Sequence, residues 1–270
     1  MYTKNPNKYP IGIFDSGVGG LSVWRELIKL MPGQEFIYLA DNAYCPYGPK
    51  PKEEIIERSS KVTEFLIERG AAIVVVACNT ATSAAITTLR SRFCIPFVGM
   101  EPAVKPAANL SKSGVIGVLA TKGTLAGDLY NNTLERYASN VEVIEMAGTG
   151  LVQLVEEGKL DNPDTEILLK KYIVPMVEAG ADHIVLGCTH YPFLRELIQR
   201  LAGESVTIID PAPAVARRTY TLACDLGIFK AGEPLFNTTF YATGSIDVLK
   251  LLAGRISPDI PNYSFREMII

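Results

Sequence analysis

Glu68-Arg-Gly-Ala-Ala-Ile-Val-Val-Val-Ala-Cys78-Asn-Thr80 lies over Glu178-Ala-Gly-Ala-Asp-His-Ile-Val-Leu-Gly-Cys188-Thr-His190 at a constant offset of 110 residues. Glu, Gly, Ala, Val and Cys coincide, and most other strand positions match in type. In each copy a helix stops at glycine, an apolar run of strand length follows, and a cysteine emerges into a polar Asn-Thr or Thr-His loop. A continuous apolar run of this kind is what a strand buried on both faces requires. A weaker echo pairs Ile11-Gly-Ile-Phe-Asp15-Ser16 with Val115-Ile-Gly-Val-Leu-Ala120-Thr121, again a strand ending in a small polar turn. The repeat predicts two similar α/β lobes, each presenting one thiol at the C-terminal end of a strand, where open parallel sheets bind ligands.

Working outward, further short apolar runs alternate with helix-length amphipathic segments. Strands are expected at Ile11–Phe14, Phe36–Leu39, Ile73–Ala77, Pro96–Gly99, Val115–Ala120, Val141–Glu145, Ile184–Gly187, Thr207–Ile209 and Thr239–Ala242. A helix fits Glu53–Arg69, stopped by Gly70. Two more begin at Pro192 and Pro213, since proline suits a first helical turn. A last one runs from an N-cap at Ser245 to a stop at Gly254. The predicted class is α/β: two lobes with mainly parallel sheets flanked by helices, related by pseudo-two-fold symmetry, with the active site in the cleft between them. Residues 1–98 with 210–270 form the first lobe, carrying Asp15 and Cys78. Residues 99–209 form the second, carrying Cys188 and His190.

Composition narrows the function. The chain has 270 residues, 48% hydrophobic, with 26 basic against 29 acidic side chains. A net charge of −3 offers no footprint for a polyphosphate backbone or an anionic membrane, so no nucleic-acid or membrane partner is expected. The longest uncharged stretch, Gly70–Leu89, carries Asn79, Thr80, Thr82, Ser83, Thr87 and Thr88 and reads as strand, loop and helix rather than a membrane span. Met1–Pro10 is polar and proline-broken, so no secretory leader is expected. Five cysteines at 45, 78, 94, 188 and 224, without CxxC spacing, point to free thiols in a reducing cytoplasm.

Asp15-Ser-Gly-Val-Gly-Gly20 follows a strand and precedes a helix, so its free N–H groups suit a carboxylate or phosphate. Ser22 stands where a dinucleotide fingerprint needs its third glycine, and Thr121-Lys-Gly-Thr124 reverses the P-loop order. Asp15 taken alone reads equally well as a helix cap. Cys188 and His190 are close, but no second ligand pair accompanies them, so no metal is expected. His183 falls inside a strand and reads as structural, whereas His190 reads as an acid–base assistant. A thiol becomes a competent base only when its pKa falls, and both cysteine loops lead toward helices whose N-termini could lower it. Cys45, Cys94 and Cys224 have no repeat partner and read as packing or chance, although Cys45 directly precedes Pro46-Tyr-Gly48, an adjacency that suggests a place near the site.

Asp15-Ser-Gly-Val-Gly-Gly, Pro46-Tyr-Gly48, Ala77-Cys-Asn-Thr-Ala81, Gly99-Met-Glu-Pro102, Gly187-Cys-Thr-His-Tyr-Pro192 and Asp210-Pro211, in this order, resemble bacterial glutamate racemases. The resemblance runs through nearly the whole chain. It implies cofactor-independent interconversion of L- and D-glutamate, supplying D-glutamate for peptidoglycan, with Cys78 and Cys188 as acid–base residues on opposite faces of the substrate. It further implies that Asp15 assists Cys78, that His190 assists Cys188, and that Glu156 rather than Glu157 supports His190. Implied substrate contacts are Asp15, Ser16, Tyr47, Gly48, Asn79, Thr80, Thr121, Thr189 and His190. No cofactor or metal is implied, the partner is glutamate in either hand, and family members are commonly homodimers. Two thiols alone do not set chain length and leave room for a racemase acting on aspartate or another acidic amino acid. A thiol hydrolase built on Cys188 and His190, or a non-catalytic amino-acid binder, leaves one or both thiols unexplained. Racemisation removes a proton from one face of a carbon and returns one to the other, which two opposed bases do without rearrangement. With no arginine in the matched loops, neutral donors must hold the substrate carboxylates.

Overall fold

A computed structural model describes residues 9–229, 237–257 and 263–270. The segment 1–8, on which most of the leader reading falls, lies outside the described residues. The first sheet is built by β1 (Ile11–Asp15), α1 (Leu21–Leu30), β2 (Glu35–Ala40), α2 (Lys52–Glu68), β3 (Ile73–Val76), α3 (Asn79–Arg92) and β4 (Phe97–Val98). The second follows with α4 (Val104–Leu110), β5 (Val115–Ala120), α5 (Lys122–Leu125), α6 (Asp128–Tyr137), β6 (Glu142–Ala147), α7 (Leu151–Glu156), α8 (Pro163–Glu178), β7 (His183–Gly187), α9 (Arg195–Ala202) and β8 (Thr207–Ile209). The chain then returns to the first sheet through α10 (Ala212–Asp225), β9 (Asn237–Ala242), α11 (Asp247–Ile256) and β10 (Tyr263–Glu267).

The strand orders are β10-β9-β2-β1-β3-β4 and β6-β5-β7-β8, with every pairing parallel. The core of the first sheet, β2-β1-β3-β4, therefore has the same order as the whole second sheet. The repeated sequence supplies β3 and β7, and the weaker echo supplies β1 and β5. Gly70 and Gly180 occupy equivalent turns after α2 and α8 at φ +86° and +88°, a left-handed conformation that favours glycine.

The strands alternate between two buried faces. Ile11, Ile13, Ile73 and Val75 enter one core cluster with Ile184 and Leu186 of β7, while Phe14, Val74 and Val76 enter a second under α2 and α3. The first cluster runs continuously from one sheet to the other, so the lobes share a core behind the cleft. At about 25 cal/mol per Å² of apolar surface, each such fully buried Ile or Leu contributes roughly 1.5–3 kcal/mol. Trp24 on α1 is wholly buried, donates to Thr238 Oγ1 at 3.1 Å, and meets Phe240 and Tyr263 edge-on at 5.1 and 5.4 Å, locking β9 and β10 to the sheet.

Four sequence expectations are revised. β10 was not anticipated, because Tyr-Ser-Phe-Arg-Glu carries two charges and lies at the sheet edge. Ile246, not Ser245, is the N-cap of α11; the Ser245 hydroxyl accepts the Asp247 N–H at 3.2 Å and donates to the Asp247 carboxylate at 2.8 Å. Gly254 does not stop that helix, which continues to Ile256 because a glycine without positive φ costs it only about 1 kcal/mol. Pro192 is the second residue of a short 3-10 turn, Tyr191–Leu194, before α9 proper. Gly70–Leu89 divides into strand, loop and helix, and no described helix is long and apolar enough to cross a membrane.

Candidate active site

Each sheet delivers its candidate residues at equivalent strand ends. Asp15 closes β1, Cys78 follows β3, Thr121 follows β5 and Cys188 follows β7. Cys78 is also the N-cap of α3, its Sγ accepting the Ala81 N–H at 3.4 Å. Thr121 caps α5, accepting the Thr124 N–H at 3.1 Å. The two sheets face one another across a closed cleft whose cavity, about 10 Å³ and no larger than a water needs, is lined by Ser16, Pro46, Tyr47, Gly48, Cys78, Asn79, Thr80, Thr121, Val152, Cys188, Thr189 and His190. A second cavity of about 170 Å³ adjoins it through Pro46, Gly48, Thr121 and Val152, and Lys122 is its sole charged lining residue.

The cleft is stitched shut by bonds between lobes. Thr189 Oγ1 donates to Asp15 Oδ2 at 2.9 Å, the Val18 N–H donates to Glu156 Oε1 at 2.7 Å, and the Thr80 and Thr121 hydroxyls meet at 2.9 Å. Gly17 and Gly19 make this closure sterically permissible: a methyl on Gly17 overlaps the Glu156 carboxylate, and one on Gly19 overlaps the His190 ring.

Within the cavity, Cys188 Sγ lies 3.7 Å from His190 Nδ1, and His190 Nε2 lies 2.5 Å from Glu156 Oε1. That is a thiol–imidazole–carboxylate relay, with the imidazole 2% and the carboxylate side chain 17% exposed. Glu157 instead pairs with Lys159 at the surface. On the other side, Cys78 Sγ lies 3.9 Å from Ser16 Oγ. Asp15 is wholly buried and accepts the Gly17 N–H at 2.8 Å; its charge reaches Cys78 through space, not by a hydrogen bond.

Electrostatics differ from the sequence expectation of a lowered thiol pKa. Burial pushes the Cys78 thiol well up, the Asp15 carboxylate adds to this, and the Ala81 N–H offsets only part. In the closed cleft Cys78 is therefore a neutral thiol. Burial also raises Asp15, opposed by His190 and the Gly17 N–H. For His190, burial alone pulls the pKa down, but bonds to Cys188, Cys45 and Glu156 outweigh it and hold the ring well above the ordinary imidazole range.

Sequence reasoning placed two residues differently. The Tyr47 hydroxyl does not face the cavity: it donates to Asp41 Oδ2 at 2.5 Å, and Asp41 also binds Arg58 at 2.7 and 3.0 Å, so Tyr47 meets the cavity through the rest of its chain. Cys45, read as packing or chance but next to Pro46-Tyr-Gly48, stands at the site, as that adjacency suggests, with its Sγ 4.0 Å from Ser16 Oγ, and burial raises its pKa to about 11. With Glu156 and His190 it makes the one group of three metal-competent side chains found among the described residues. Its adjacency to Pro46-Tyr-Gly48 was the only available signal. Asn79 Oδ1 and Nδ2 are buried in the cavity wall without a partner, a free donor and acceptor for a ligand. Cys94 and Cys224 are exposed and do not line the cavity.

The family model for Asp/Glu/hydantoin racemases matches residues 11–219. A glutamate racemase from a Roseiflexus species is 52% identical over 235 residues, covering 87% of this chain and 86% of its own. Among solved structures, a glutamate racemase isoform from Bacillus anthracis matches with TM-score 0.87 at 33% identity, covering 98% of both chains. The Escherichia coli glutamate racemase in complex with L-glutamate and the activator UDP-MurNAc-Ala matches with TM-score 0.85 at 31% identity, covering 96% of this chain and 98% of its own.

Proposed function

The chain belongs to the Asp/Glu/hydantoin racemase family and is an amino-acid racemase; on that premise we propose that it interconverts L- and D-glutamate without a cofactor, using Cys78 and Cys188 as opposed acid–base residues. The observation that carries the two-base reading is that two equivalent strand ends, from sheets that share a four-strand order, bring one cysteine each to a single cavity. Glutamate is favoured as the substrate by the high identity to glutamate racemases and by the relative that holds L-glutamate. The product D-glutamate serves peptidoglycan synthesis.

In one direction a Cys188 thiolate, its proton passed to His190, removes the Cα proton while the neutral Cys78 thiol delivers one to the opposite face. The reverse direction exchanges the roles, with Asp15 adjusting Cys78 through its charge. Glu156 orients the imidazole and stabilises its charged form. The unpartnered Asn79 amide, the hydroxyls of Ser16, Thr80, Thr121 and Thr189, and the N–H groups around Tyr47–Gly48 hold the carboxylates as neutral, preorganised donors. Because the cleft is closed, lobe opening must admit substrate, and reclosure excludes water around the developing carbanion.

Replacing either Cys78 or Cys188 by Ala should abolish turnover in both directions, since each half-reaction needs both groups. Near-normal racemisation by either folded variant, followed by circular dichroism from L- and from D-glutamate, contradicts the assignment.

A further inference from the structure

We propose that Cys45, His190 and Glu156 form a binding site for a thiophilic divalent cation of the zinc type, and that its occupancy arrests racemisation. The arrest rests on the reading of His190 as the partner of Cys188; the binding site does not.

Cys45 Sγ, a ring nitrogen of His190 and a carboxylate oxygen of Glu156 all lie within 4.8 Å of one another. Zinc holds sulfur at about 2.3 Å and nitrogen or oxygen at about 2.0–2.2 Å, which puts tetrahedral donors roughly 3.3–3.8 Å apart. Insertion of the ion therefore parts His190 Nε2 from Glu156 Oε1, now 2.5 Å apart, by about 1 Å and draws Cys45 Sγ in by about 1 Å, both within the reach of side-chain rotation. One thiol, one imidazole and one carboxylate suit zinc and its congeners, not magnesium or calcium, which take oxygen donors. The site is also built from behind, because the Val18 N–H holds Glu156 Oε1 at 2.7 Å, the kind of outer support that orients a ligating carboxylate. The proposed acid–base chemistry makes no use of Cys45, and three protein ligands leave a fourth position open.

Binding replaces two protons, that of the Cys45 thiol and that shared between His190 Nε2 and Glu156; both leave to solvent, and nothing is oxidised. The imidazolium that loses its Nε2 proton to the metal keeps its Nδ1 proton; once the Cys188 thiolate has taken a Cα proton, Nδ1, 3.7 Å from its sulfur, cannot relieve it of that proton, and the thiolate is not regenerated.

The probe is cobalt(II), titrated into reduced, chelator-stripped full-length protein. A cobalt–thiolate charge-transfer band should saturate at one equivalent per chain, collapse on adding zinc, and survive Cys94→Ser, Cys224→Ser and Cys188→Ser. Cys45→Ser should remove the band, and Glu156→Gln should weaken cobalt binding about tenfold or more. In parallel, zinc should inhibit racemisation of the wild-type protein reversibly with EDTA, and the half-inhibitory concentration should rise at least tenfold in Cys45→Ser. A band that persists in Cys45→Ser, or disappears in Cys188→Ser, overturns the site. Should Cys45→Ser not fold, unchanged cobalt affinity in Glu156→Gln overturns it equally. The absorption titration requires no turnover, so failure of the glutamate reading and failure of the cation site are separately visible.

Discussion

Glu156→Gln isolates the part of the site that the geometry defines most tightly. Glu156 Oε1 accepts from both His190 Nε2 and the Val18 N–H, at 2.5 and 2.7 Å, in a mostly buried position. Glutamine keeps the size and one accepting oxygen but removes the charge. A hydrogen bond to a charged group is worth about 1.5–3 kcal/mol, and charge-assisted bonds are about twice as strong as neutral ones. Neutralisation should thus remove about 1 kcal/mol if the amide still accepts from His190. Up to about 3 kcal/mol goes if the amide turns away. At 1.36 kcal/mol per decade, kcat/KM should fall between about fivefold and 150-fold. Because the enantiomers have equal free energy, the fall must be the same from L- and from D-glutamate. A primary isotope effect with Cα-deuterated substrate should increase mainly in the direction where Cys188 abstracts. Glu157→Gln, which disturbs only a surface pair with Lys159, should stay within about twofold. Glu156→Gln within twofold of wild type, or equal losses in both variants, refutes the relay.

Two further outcomes follow from the same geometry. Gly17→Ala places a methyl where the Glu156 carboxylate lies, so it should reproduce at least the Glu156→Gln loss of kcat/KM while the far-ultraviolet circular dichroism stays unchanged; normal activity shows that the carboxylate is not needed at His190. The raised pKa of His190 means that the fold binds its proton more tightly than the unfolded chain does. The stability gained is fully present below the unfolded value of about 6.5 and disappears as pH rises through the folded value. The melting temperature of substrate-free protein should therefore decline from pH 6 to pH 8 more steeply than that of His190→Asn, and parallel curves contradict the buried imidazolium.

Much of this architecture is legible in the sequence because buried parallel strands leave continuous apolar runs, and Ile73–Val76 and Ile184–Gly187 do so twice with the same punctuation. Glycines at 70 and 180 mark the same turn for the same conformational reason. What escapes is set by contacts that join distant segments. Tyr263–Glu267 is a strand only because β9 offers an edge and Trp24 an aromatic surface, neither visible in five residues with two charges. Cys45 lacks a repeat partner, and only folding of the loop after β2 against α7 and β7 brings it to Glu156 and His190. The buried Asp41–Arg58 pair that turns the Tyr47 hydroxyl away carries no local motif. Thiol acidity was misjudged for a similar reason: a helix N-terminus is readable from Cys78-Asn-Thr-Ala, whereas the burial and the Asp15 charge that outweigh it belong to the closed cleft.

The central claim is that two opposed thiols, one from each sheet, exchange protons with the two faces of glutamate. The most direct test is incubation with L-glutamate in heavy water with no added cofactor, stopped at low conversion and analysed by nuclear magnetic resonance after separation of the enantiomers. The account predicts D-glutamate carrying solvent deuterium at Cα, with the remaining L-glutamate still protiated. Absence of racemisation by folded, reduced protein, or deuterium entering the L-enantiomer as fast as the D-enantiomer forms, contradicts it.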